Sequence, residues 1–236
     1  MSDLDKNREI IFVVGTDTGV GKTVLSLLLM QFLFAKGCTP FYLKPVQTGC
    51  RDPYDTDSDA AFIYRHVKPL QEKDPADSII YCFKNPKAPF FAARDEIKTI
   101  DLSVIKRVVE EKAAMHTPLI LEGAGGLLVP VAEKTCVADL ILLTNARPII
   151  AARTGLGTIN HTLLTIEALR ARGISPLGVV FIDAEKNKTS PEMIEENRSA
   201  IEDASGVKIA GVIGRIDDFS NPPPDCYEPL IKIRRS

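Results

Sequence analysis

The order of apolar and polar positions along the chain predicts strands alternating with helices. Residues 10–14 (IIFVV) form a β-branched run of the kind found in buried parallel strands. Residues 23–36 bring good helix formers and stop at Gly37, a C-terminal cap position. The run 41–44 reads as a second strand ended by Pro45, and 45–57 as a loop rich in Pro, Gly, Asp and Thr. A helix follows at 58–66, with Asp57 or Ser58 as its cap. Residues 79–83 are extended, 85–93 a proline-containing loop, and 101–115 a helix capped by Asp101 with Leu102, Ile105, Val108 and Val109 on one face. Strands are expected at 118–121, 148–152, 177–182 and 208–213, helices at 160–172 and 191–204, and 140–143 fits either type. The stretch SNPPPDCYEP, 220–229, is too proline-rich for regular structure and is expected to lie against the surface.

This alternation predicts an α/β fold: a mostly parallel, doubly wound sheet with helices on both faces. No internal repeat or linker divides the 236 residues, so one domain is expected. Net charge is −2, which gives no overall field favouring nucleic acid or an anionic membrane. Any polyanion must then be held locally. Five scattered cysteines without a CxxC pair argue against a disulfide framework or zinc site and for a reducing compartment. The charged start MSDLDKNRE lacks the apolar stretch of a secretory signal, and no run is long enough to span a membrane, so a cytoplasmic protein is expected.

The first strand opens into GTDTGVGKT, residues 15–23. A strand, a glycine-rich turn and a helix starting at Lys22 form the context of a phosphate loop. The spacing departs from the common pattern, because Thr16 stands where the first glycine belongs and Gly15 lies one place early. Gly19 and Gly21 let backbone fold around phosphate oxygens, Lys22 adds a full charge, and the Thr23 hydroxyl suits Mg²⁺. The departure suggests that Thr16, Asp17 and Thr18 bring side chains into the loop, towards a second substrate.

Three further groups need a phosphate neighbour. Lys44, in YLKPVQTG, ends a strand and faces the same crevice in a parallel sheet, although alone it also reads as a surface lysine. Thr48 beyond it reads more simply as a turn-former. Asp55, Asp57 and Asp59 surround a helix start, where carboxylates also belong for capping reasons; Asp59 is the best placed of them for a metal. Glu122 ends the apolar run PLIL and opens EGAGG, a position where an ionised carboxylate requires a partner. GLGTINH, 155–161, is a second glycine-containing strand-to-helix turn without a lysine; it suits a carboxylate or is a plain connection.

GTDTGVGKT, YLKPVQTG, SDA, EGAGG and GLGTINH, in this order, closely resemble the dethiobiotin synthetase family, over about residues 10–213. The resemblance implies a P-loop NTPase-like fold and an ATP- and Mg²⁺-dependent carboligase. Such an enzyme makes dethiobiotin from 7,8-diaminopelargonic acid and CO₂ or bicarbonate, through a carbamate and a carbamic–phosphoric anhydride. It implies a nucleotide site of Thr16, Asp17, Gly19, Val20, Gly21, Lys22, Thr23, Asp59 and Glu122, with Thr23, Asp59 and Glu122 on the metal. Lys22, Lys44 and Thr18 would be catalytic. Thr18, Lys44 and Thr48 would meet the diamine and carbamate, while Gly155, Leu156, Gly157 and Asn160 of a second copy hold the substrate carboxylate in a homodimer.

Two positions depart from some family members: Gly19 replaces a glutamate, and Ile182, beside Asp183, stands where an asparagine reads adenine. A looser nucleotide preference follows. Lys44→Ala is expected to remove most turnover while leaving the fold intact. The competing reading is a partitioning or positioning switch ATPase of the same fold. Such proteins carry a lysine near the start of the loop, where this chain has Thr16, Asp17 and Thr18, and they offer DNA- or membrane-binding features not found here.

Overall fold

The computed structural model describes residues 9–184 and 188–233; the charged start discussed above lies outside them apart from Glu9. In chain order the elements are β1 (Ile10–Gly15), α1 (Lys22–Ala35), β2 (Phe41–Thr48), α2 (Asp59–His66), β3 (Ile79–Phe83), α3 (Pro89–Asp95), α4 (Leu102–Met115), β4 (Leu119–Gly126), β5 (Pro130–Ala132), β6 (Thr135–Cys136), α5 (Val137–Thr144), β7 (Arg147–Arg153), α6 (Thr158–Arg170), β8 (Gly178–Asp183), α7 (Pro191–Ser205), β9 (Ile209–Gly214) and α8 (Glu228–Ile233).

Seven strands form one parallel sheet in the order β3-β2-β4-β1-β7-β8-β9, and β5 pairs with β6 in a small antiparallel ribbon. Alternation along each strand sends side chains to opposite faces. Phe12 and Val14 therefore join a core with Ile105 and Val109 of α4, Ile141 of α5, Ile166 of α6 and Ile201 of α7. Ile11 and Val13 join a second core with Leu25, Leu28 and Met30 of α1, Ile63 of α2 and Leu230 of α8. The central strands are buried on both faces, which is why they read as unbroken apolar runs.

Three expectations need correction, and one left open is settled. Pro45 does not end β2, which continues to Thr48. Pairing with β4 stops at Leu43, and beyond it β2 pairs only with β3, with Pro45 in neither register, so the missing N–H forfeits no ladder bond. Residues expected as a loop at 85–93 contain the start of α3, with Pro89 at its first position, where a proline lacks nothing the helix needs. The segment at 140–143 is helix α5. The proline-rich tail is also ordered: Pro224–Tyr227 forms a 3₁₀ turn leading into α8. It buries Cys226, Leu230 and Ile233 against the sheet, with Pro229 packed over Gly211.

Candidate active site

The carboxyl ends of β1, β2, β4, β7 and β8 converge on a cavity of about 680 Å³. This is where parallel α/β sheets place their ligands. The glycine loop forms one wall. Its last residue, Gly21, has φ +93°, and a Cβ there would stand 2.7 Å from Ile182 Cγ2, so no larger residue fits. Gly21 is also the cap of α1, and no side chain caps that helix start. Its amides are thus free to meet an anion.

Gly15 resolves the irregular spacing. A Cβ at residue 15 would lie 2.8 Å from Asp17 O and 3.0 Å from Lys22 Nζ, where the lysine folds back beneath the loop and donates to Asp17 O at 2.9 Å. The early glycine makes room for that return. Burial, and then repulsion from Lys44, lower the Lys22 ammonium to a pKa of about 8, against partial relief from Glu122 and Asp59.

Lys44 is buried, not a surface lysine. Its Nζ lies 2.8 Å from both Glu122 Oε1 and Asp59 Oδ2 and 3.1 Å from Gly123 O. Burial opposes its charge, but the carboxylates of Asp59 and Glu122 outweigh that and hold it above the usual lysine range. Burial likewise works against the Asp59 carboxylate; Lys44 overcomes it and keeps Asp59 below the usual range. The idea that Lys44 could be removed without cost to the fold is therefore wrong. Its loss would strand Glu122, which is 1% exposed.

Thr23 Oγ1 lies 2.8 Å from Asp59 Oδ1 and 2.9 Å from Glu122 Oε1, and with one proton it donates to one of them at a time. A hydroxyl and two carboxylate oxygens at this spacing form a hard, all-oxygen donor set of the type Mg²⁺ takes alongside substrate phosphates. Of the three neighbouring aspartates, Asp59 turns into this cluster, Asp55 pairs with Arg51, and Asp57 lies exposed at the cavity rim. The cap of α2 is Ser58, whose Oγ accepts from Ala61 N.

Two supporting residues escaped the sequence reading. Tyr42, fully buried, donates its hydroxyl to Glu122 Oε2 at 3.0 Å. Gln47 Oε1 accepts from Asp59 N at 3.1 Å and fixes the start of α2. Tyr42 sits in an apolar run and reads as core; the unmatched carboxylate of Glu122 was the signal that a donor must face it.

Thr18, Gly19, Val20, Lys22, Thr23, Lys44, Thr48, Asp59 and Glu122 all line the cavity, as do Gly155 and Leu156 at its edge. Thr16 and Asp17 stand behind it. Thr16 N ties the loop to Ala151 O of β7, and the Asp17 side chain accepts from Thr18 N. Gly157 and Asn160 lie outside the lining, on the exposed turn that starts α6, where Leu156 is 99% exposed.

A family model described as an AAA domain matches residues 9–223. The ATP-dependent dethiobiotin synthetase BioD of Methanococcus vannielii is 36% identical over 213 residues, which span 89% of this chain and 95% of that one. This chain belongs to the ATP-dependent dethiobiotin synthetase family. The enzyme of the same name from a Hydrogenobaculum species is 40% identical over 175 residues, 73% of this chain and 76% of its own. Among solved structures, the MinD cell division protein of Aquifex aeolicus superposes with a TM-score of 0.58 over 96% of each chain, at 16% identity. That likeness is one of fold alone.

Proposed function

We propose that this chain is a dethiobiotin synthetase, closing the ureido ring of dethiobiotin from 7,8-diaminopelargonic acid and CO₂ at the expense of ATP. One amine of the diamine adds to CO₂ and loses a proton, giving a carbamate. A carbamate oxygen attacks the γ-phosphorus, the bond to ADP breaks, and a carbamic–phosphoric anhydride forms. The second amine then attacks the carbonyl carbon, phosphate leaves, and a further proton is lost as the ring closes. No redox partner is needed.

Phosphoryl transfer of this kind is chiefly positioning and charge neutralisation. The free amides at the start of α1 and the ammonium of Lys22 suit the phosphates. Lys44, held between Asp59 and Glu122, suits the anionic carbamate and the transferred group. Thr23, Asp59 and Glu122 would hold Mg²⁺, which supplies charge neutralisation across the phosphates when bound. Thr18 and Thr48 face the cavity where the diamine would lie. The uncapped, exposed turn at 155–160 is suited to the substrate carboxylate of a second copy, through Gly155, Leu156, Gly157 and Asn160, in a cytoplasmic homodimer. One α/β domain carries all of these groups.

The observation that carries this reading is the meeting of Lys22, Thr23, Lys44, Asp59 and Glu122 from two strands and two helix starts at a single cavity. ADP release measured with the diamine and bicarbonate added or withheld tests it. Turnover is expected only with both. Turnover driven instead by DNA or lipid would point to the switch ATPase.

A further inference from the structure

Among the described residues, three cations line the cavity: Lys22, Lys44 and Arg153. Lys44 is already engaged by two carboxylates. Lys22 contacts a backbone carbonyl, and Arg153 forms no ion pair among the described residues. A triphosphate carries several negative charges, so beside Lys22, Lys44 and Mg²⁺ a further cation on this wall has an anion to meet.

Arg153 ends β7, and its carbonyl accepts from Thr158 Oγ1 at 2.6 Å, which ties its backbone to the start of α6. Its side chain does not follow that helix. It crosses to the glycine loop, where Nη2 stands 3.5 Å from Thr18 O. A Cβ built on Gly19 would find Nη2 at 3.8 Å and no other atom within 4 Å outside its own chain neighbours. The guanidinium thus lies beside the loop at a point where residue 19 offers it no side chain.

Building on the nucleotide reading above, we propose that Arg153 is a further ligand of the nucleotide's phosphate chain, supplied from outside the glycine loop. The planar guanidinium matches two phosphate oxygens at once, which an ammonium does not. The carboxylate of the diamine is the competing anion. The side chain's position against Gly19 of the phosphate loop favours phosphate. A carboxylate at position 19 would begin within reach of the guanidinium and neutralise it.

Calorimetric binding of Mg²⁺–ADP, of a non-hydrolysable ATP analogue, and separately of the diamine tests this without recourse to turnover. Arg153→Ala is expected to weaken both nucleotides about ten- to hundredfold and leave diamine affinity unchanged, with Arg153→Lys intermediate. Gly19→Glu is expected to weaken nucleotide binding more than Gly19→Gln, which carries the same backbone strain at φ +69° without the charge. That excess should vanish when Arg153 is already alanine. Unchanged nucleotide affinity in Arg153→Ala, or a loss confined to the diamine, would overturn the assignment. Failure of the wild-type protein to bind nucleotide at all would instead overturn the functional reading beneath it.

Discussion

Lys44 Nζ lies 2.8 Å from Glu122 Oε1, though the two residues are 78 positions apart and both side chains are almost wholly buried. Backbone pairing between β2 and β4 ends just before them, at Leu43 and Leu121. The ion pair therefore joins the two strands where the ladder stops, and Asp59 ties the start of α2 to the same ammonium.

Lys44→Met is expected to abolish turnover and also to lower stability by about 3–5 kcal/mol, because it leaves a buried carboxylate unpaired. The double variant Lys44→Met/Glu122→Gln should regain much of that stability and none of the activity. Urea denaturation beside ADP release separates the two effects; an unchanged unfolding midpoint in the single variant would refute the pairing.

Tyr42→Phe removes one donor from Glu122 Oε2 and leaves the rest of the cluster in place. A loss of about 1–3 kcal/mol in stability is expected, the cost of under-satisfying a buried acceptor. The Mg²⁺ concentration giving half-maximal ADP release should rise, while the rate at saturating Mg²⁺ stays near wild type. Glu122→Gln should raise the requirement further.

Lys22 gives up its proton near pH 8 in the free protein, below the ordinary value of 10.5. Between those values the unfolded chain binds more protons than the folded one, so this group makes stability rise with pH across that window. Nucleotide phosphates favour the ammonium. Binding at pH 9 is therefore expected to take up a proton, and affinity to fall as pH climbs above about 8. Calorimetry in two buffers of different ionisation enthalpy reads the uptake directly, and identical heats would count against it.

Ile182 lines the cavity behind Gly21, and its side chain has no hydrogen-bonding group to offer a base. Rates with ATP, GTP and CTP are accordingly expected to lie within about tenfold of one another, since one hydrogen bond distinguishing the bases amounts to roughly that factor. Ile182→Asn should shift the preference towards ATP. A strong preference for ATP in the wild-type protein would show that other groups read the base.

Much of this site was legible because its parts are local. A glycine-rich turn after a strand, a lysine closing a short apolar run and a glutamate closing another each carry their own physical demand. The partners were not legible, since pairing Lys44 with Glu122 and Asp59 depends on strand order. Tyr42 was hidden by its apolar neighbours, and Pro45 misled because its tolerance in β2 depends on where β4 stops pairing. The carboxy-terminal helix was missed for a related reason: prolines that forbid a helix interior are welcome in its first turn.

The central claim is that this cavity couples ATP cleavage to carboxylation of a diamine. The most direct measurement is incorporation of ¹³C from labelled bicarbonate into the cyclic product, counted against ADP formed. One labelled ureido carbon per ADP is the predicted result. ADP released without labelled ring product would contradict the account.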